Sequence, residues 1–327
     1  MKRAENCVDC KITHISIEGD SLVFEFAKSK SQQDGEEHVG PWHVYANPKD
    51  PFICPILSLA RYLFMFPNVL VGKSPLFEGS AQYSRYSKIF SRILREHQNE
   101  LPGVNIGDLG THSCRKGVAT MVAAGCTCSL PIVSICVRAG WAMGGVKDRY
   151  LKNEKAGDQY VGRCTTGADQ NNKEFAISPP YFDFSAVTSE LEKIQKKRVV
   201  KQWLQERLIN VDNISPKTFD LAMQCFASIC YHYEFITDKA HPNSAFHSCS
   251  IFKDIPVEIK NLVRVAFPWN KTEDTPTFTG IPPHVTLLAQ MEEMKRHIDA
   301  LERKLIEHFE NALDAKNQES ALDNRAP

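Results

Sequence analysis

Residues 111–150 read THSCRKGVATMVAAGCTCSLPIVSICVRAGWAMGGVKDRY, and the pattern within this stretch decides the fold. His112 to Ala124 reads as a helix, closed by Gly125. Ser129 then caps a second helix, with Pro131 in its first turn, that ends near Gly140. A short third helix spans Val146 to Asn153. Upstream the helical period continues: Leu57, Ala60, Leu63 and Phe64 share a face, as do Ile89, Phe90, Ile93 and Leu94. The first 50 residues read instead as strands. Ile12, Ile15 and Ile17 precede the turn signal Glu18-Gly19-Asp20-Ser21, Leu22 to Ala27 is a short apolar run, and Trp42 to Tyr45 makes a third strand after a polar loop. The fold class expected is mainly α with a small antiparallel β-sheet.

Downstream, Gly157 to Pro180 is polar and punctuated by Gly and Pro. Residues 166–182 are therefore expected to link a first domain (1–165) to a smaller helical domain (183–275). The helices expected in the second domain are the charged amphipathic Leu191–Val211 and the more apolar Phe219–Phe235. A terminal amphipathic helix is expected over 284–316, followed by a disordered tail (317–327). In that helix Leu287, Met291, Met294, Ile298, Leu301, Leu305, His308 and Ala312 are spaced 4-3-4-3-4-3-4, a heptad seam flanked by Glu, Lys and Arg. The seam fits self-association through a coiled coil as well as packing within the chain.

The chain has 327 residues, 43% of them apolar, enough for a sizeable core. The 39 basic residues equal the 39 acidic ones, but their distribution is uneven. Residues 61–163 hold 14 basic and 7 acidic side chains, whereas 181–327 hold 18 and 21. Eleven scattered cysteines, several inside apolar helical patterns, argue for free thiols in a reducing, intracellular setting. Residues 1–10 are too polar for a signal peptide. The longest apolar run, Pro51 to Gly72, carries Arg61 and three prolines, so no membrane span is expected. Cys7, Cys10 and His14 have no second ligand pair at a suitable spacing, so no metal site is expected. Cys126 and Cys128 read as buried and inert. Lys193, Lys196, Lys197, Arg198 and Lys201 read as a solvated helix face, with contact to DNA phosphate or nuclear import as the sharper alternative.

The chemistry lies in His112-Ser113-Cys114-Arg115, Gly140-Trp141 and Tyr150. On a helix, His112 and Arg115 project from one face. With the Trp141 indole N–H and the Tyr150 hydroxyl they suit a small anion rather than a metal. Metal-free phosphodiester transfer needs cations on the nonbridging oxygens, a nucleophile that forms a covalent intermediate and a general acid for the leaving oxygen. Arginine, tyrosine and a loop lysine suit these three roles.

These residues resemble the signature of the tyrosine recombinases, the lambda-integrase family: His-x-x-Arg, then Gly-Trp, then Tyr nine residues later. The Trp position is more often His in that family, and Trp in its Cre-like members. Phe26-Ala27-Lys28-Ser29-Lys30-Ser31 resembles the family's β-hairpin bearing a catalytic lysine, with Lys30 preferred and Lys28 the alternative. Arg3 falls where the first catalytic arginine stands. Asn6 departs from the acidic residue that often follows that arginine by three positions. The stretches 41–48, 144–150 and 279–284 are closer in wording to the recombinases of eukaryotic Crypton-type DNA transposons. By this resemblance residues 1–165 form a tyrosine-recombinase catalytic core that lacks the family's N-terminal part.

The resemblance implies a mechanism and partners. Tyr150 attacks a DNA phosphate, while Arg3, Arg115, His112 and Trp141 hold it and Lys30 protonates the leaving 5′ oxygen. No cofactor is implied. The partners implied are double-stranded DNA and further copies of the chain on DNA, in the nucleus. Two rival readings remain. One is a catalytically inactive, domesticated DNA-binding protein. The other is a coiled-coil scaffold built on Leu287 to Ala312.

Overall fold

The computed structural model describes residues 7–25, 41–124, 130–141, 155–241 and 243–323, without the side chains of Ala245 and of 314–323. Strands β1 (Ile15–Glu18), β2 (Ser21–Phe24) and β3 (Trp42–Tyr45) form an antiparallel sheet in that order. Ile15 pairs with Phe24, and Ser21 with both Glu18 and Tyr45. Gly19 and Asp20 make the β1–β2 turn. Gly19 takes φ +58, and a Cβ there would collide with the carbonyl of Thr277, so both conformation and space require glycine. Ile12 to His14, expected at the start of the first strand, form a 3-10 turn instead.

The helices follow as α1 (Pro55–Met65), α2 (Gln82–Glu96), α3 (Thr111–Ala124), α4 (Ile132–Ala139) and α5 (Lys155–Cys164). Beyond them come β4 (Tyr181–Phe182), α6 (Glu190–Gln205), α7 (Pro216–Tyr231), α8 (Tyr233–Lys239), α9 (Val257–Lys260), β5 (Val263–Arg264) and α10 (Pro283–Asp323). The protein is thus mainly helical with small antiparallel sheets. Pro131 is the residue before α4 rather than a member of its first turn. The expected Phe219–Phe235 helix breaks at His232 into α7 and α8. Helix α10 runs to Asp323, past the expected end at residue 316, because no Gly or Pro interrupts its polar helix formers before Pro327. The helix expected over Val146 to Asn153 lies outside the described residues, as do Ser129, Cys126 and Cys128.

The core corrects the expected domain boundary. Ile56, Leu57, Ala60, Leu63 and Phe64 form the buried face of α1. They share one hydrophobic cluster with Leu221, Ala222, Cys225, Phe226 and Ile229 of α7, an element assigned to the second domain. Residues 1–170 and 174–281 accordingly form one compact unit, and 171–173 with 282–327 form another. The stretch read as a linker carries apolar residues that its Gly and Pro punctuation obscured. Phe175, Ala176, Ile177 and Tyr181 are all buried. Ser178 and Ala266 exchange backbone and side-chain hydrogen bonds of 2.9 Å, and Tyr181 and Phe182 of β4 pair with Arg264 and Val263 of β5.

A buried polar network closes the same unit. The Asp20 carboxylate pairs with Arg163 and accepts from the Thr279 N–H at 3.1 Å and hydroxyl at 2.8 Å. Arg163 also donates to the carbonyls of Thr279 (2.7 Å) and Phe175 (3.1 Å), and its guanidinium lies 4.4 Å from the Tyr45 ring centroid. No helix among the described residues is long and apolar enough to cross a membrane.

Candidate functional site

Helix α3 carries His112, exposed in its first turn, and the half-buried Arg115 three residues on. Cys114, exposed between them, lies 4.0 Å from the Tyr86 hydroxyl of α2. The Arg115 guanidinium donates to the carbonyl of Ala139, the last residue of α4. Its Cζ also lies 5.6 Å from the centroid of the Trp141 ring, within cation–π range. The structure therefore brings Arg115 and Trp141 together, with His112 one turn from Arg115. Arg3, Lys30, its alternative Lys28 and Tyr150 lie outside the described residues.

Trp141 takes its place from the way α4 ends. Gly140 adopts φ +64, its N–H donates to Val137 O at 3.0 Å, and the Trp141 N–H reaches back to Cys136 O at 2.9 Å. This is a Schellman closure, in which glycine supplies the left-handed residue. The chain is thereby turned so that the Trp141 ring is 40% exposed beside Arg115.

A second set of residues, missed in the sequence, holds the end of α4. Arg138 is buried and its guanidinium donates to Asp158 Oδ1 at 2.6 Å, the Asp158 carbonyl at 3.0 Å and the His43 carbonyl at 2.8 Å. The Arg138 carbonyl accepts from Trp42 Nε1 at 3.0 Å. The Asp158 carboxylate also accepts from the His43 backbone N–H at 2.8 Å and lies 2.8 Å from His43 Nδ1. Gly162 brings α5 so near β3 that a Cβ would strike the His43 carbonyl. Hydrogen bonding to Lys155 holds the Glu18 carboxyl below its usual range, and Glu18 approaches His43 Nε2 at 3.7 Å. The one sequence signal for this set was Arg138 itself, a lone charge in the apolar run Ile132 to Ala139.

Helix α2 borders α3. The Tyr83 hydroxyl lies 3.3 Å from Thr111 Oγ1. Arg85, Lys88, Arg92 and Arg95, spaced 3-4-3, form an exposed basic stripe on the opposite side of α2 from Tyr83, Tyr86 and Phe90. Few acids oppose the stripe: Glu96 reaches Arg92 at 3.7 Å. The cluster on α6 differs, since Lys193, Lys196 and Lys197 each pair with a carboxylate within 3.2 Å.

Among the described residues no three His, Cys, Asp or Glu side chains gather as a metal site. His14 Nδ1 accepts from the Lys11 N–H, and burial pushes the Cys10 thiol up to about 12. The arrangement on α3 and α4 offers guanidinium, imidazole and indole donors to an anion, while the basic stripe of α2 faces away from α3. No protein-family model, curated protein or solved structure matches the chain.

Proposed function

We propose that this protein binds double-stranded DNA and acts on it as a recombinase or integrase of mobile-element type, with Tyr150 as nucleophile. The observation that carries the reading is the junction of Arg115 with Ala139 and Trp141. It joins His-x-x-Arg to Gly-Trp, two motifs 26 positions apart (Arg115 and Trp141) whose order, spacing and neighbours resemble the tyrosine-recombinase signature. The basic stripe of α2 supports contact with DNA phosphates.

In this reading the deprotonated Tyr150 Oη attacks a scissile phosphorus. The bond from phosphorus to the 5′ oxygen breaks, and that oxygen takes a proton from Lys30 or its alternative Lys28. Arg115, His112, Trp141 and Arg3 carry the charge on the nonbridging oxygens. A 3′-phosphotyrosyl link conserves the bond energy until a new 5′ hydroxyl reverses the step, so the chemistry calls for neither ATP nor a metal. A nuclear site of action goes with this substrate.

Covalent trapping tests the reading. The full chain is incubated with labelled nicked duplexes in chelator and denatured in SDS. An SDS-stable protein–DNA species that Tyr150→Phe abolishes is the expected result. Salt-sensitive DNA binding with no such species, indifferent to Tyr150→Phe, would replace the recombinase by an inactive DNA-binding protein.

A further inference from the structure

Helix α10 is 41 residues long, roughly 60 Å at 1.5 Å per residue. Its side chains fall into two opposed stripes. Near its start Val285 and Ala289 are buried, and Glu292 on the same side pairs with Lys173. The heptad seam lies on the other side of the helix, at about 180° from that stripe. There Leu287, Met291, Met294, Ile298, Leu301 and Leu305 are each between 57 and 67% exposed. Phe309 and Leu313 extend the exposed apolar surface. The face that the chain buries is therefore not the face that carries the heptads.

We infer that this seam is a docking surface for a second copy of the same chain, packed antiparallel and centred between Asp299 and Ala300. In the heptad, Met291, Ile298, Leu305 and Ala312 take the a positions, and Leu287, Met294, Leu301 and His308 the d positions. An antiparallel pair with this centre sets every a residue against a d residue. Ile298 meets Leu301 of the partner, Met294 meets Leu305, Met291 meets His308 and Leu287 meets Ala312. The large side chain at one end meets the small one at the other.

The flanking positions match as well. Lys295 faces Glu302 of the partner, and by symmetry Glu302 faces Lys295, so the pair forms twice. Leu288 faces the exposed Phe309, and Gln290 faces Asn311. His297 beside Lys304 is the one unfavourable pair. Parallel packing in register makes a poorer match. It stacks His308 on His308, leaves Phe309 against Lys304 and sets Lys295 against Gln290, with His297 against Glu302 as its one favourable flanking pair. Charge and apolar complementarity together select the antiparallel homodimer, independently of any action on DNA.

Sedimentation equilibrium of the full chain tests the inference. The expected species is a dimer. Lys295→Glu alone and Glu302→Lys alone place like charges at both copies of this pair, and each weakens dimerisation roughly tenfold. The double exchange recreates opposite charges and returns the dimer to wild-type strength. Leu301→Asp abolishes the dimer without moving the urea midpoint of the compact unit. A monomeric wild type, a trimer, a dimer indifferent to Leu301→Asp, or a double exchange that fails to recover would overturn the proposal. A parallel dimer is recognised because Lys295→Glu leaves it intact.

Discussion

Arg138 is the residue on which the candidate site depends, although it projects away from it. Its guanidinium ties the end of α4 to β3 and α5 through His43 and Asp158, and the next carbonyl along, that of Ala139, receives Arg115. Removing one partner of a buried charge pair leaves the other desolvated. Arg138→Met is thus expected to cost about 3–5 kcal/mol in urea unfolding, and Asp158→Asn less, since it keeps its shape and one acceptor. His112, Arg115 and Trp141 were legible in the sequence because motif and spacing travel together. Arg138, His43 and Asp158 were not, because Arg138 finds its partners 20 and 95 positions away and no local pattern marks them.

A second residue-level consequence concerns His232. Its ring is buried, its Nε2 has no hydrogen-bond partner among the described residues, and desolvation lowers its pKa from 6.5 to about 4. The unfolded chain takes up this proton near pH 6.5 while the folded chain resists it until about pH 4. The stability linked to His232 is therefore complete above the unfolded value and is lost as pH falls through that window, on the order of 2 kcal/mol. Urea midpoints compared at about pH 7.5 and about pH 4.5 should show a smaller acid loss in His232→Phe than in the wild type.

At the scale of elements, ends and faces carry the consequences. Gly140 closes α4 in the left-handed region with no atom of the described residues near its missing Cβ. Gly140→Ala is therefore expected to destabilise by about 1 kcal/mol through backbone conformation alone, measured by urea unfolding. Under the proposed function, replacing Arg92 and Arg95 of α2 by Glu should weaken binding to duplex DNA across all sequences. It should also lower the slope of log affinity against log salt by about 1 per lost phosphate contact, read by fluorescence anisotropy. Helices α1, α3 and α10 were legible because a 3.6- or 3.5-residue period leaves a long signature. The break at His232 was not, because the apolar pattern of Phe219 to Phe235 runs through it unchanged. The third strand was legible from Trp42-His43-Val44-Tyr45, but the burial of His43 against Asp158 depends on an element more than a hundred positions downstream.

At the scale of the molecule the sequence misled about the domain boundary. Residues 166–182 have the composition of a linker, yet their scattered apolar side chains are buried and their backbone joins β4 to β5. Composition averages over a window, whereas burial is decided side chain by side chain. A fragment ending at residue 180 would expose the α1 face that α7 covers. It is expected to lack cooperative thermal unfolding by circular dichroism, while the full chain retains it. The Asp20 network extends this to the order in which the chain is made. Asp20 leaves the ribosome 259 residues before Thr279. The β1–β2 turn is completed by nearly the last segment of the compact unit. During synthesis the apolar face of α1 stays uncovered until α7 emerges. Ribosome-bound chains arrested ahead of Thr279 should be cleaved readily by protease, and chains released beyond it should resist.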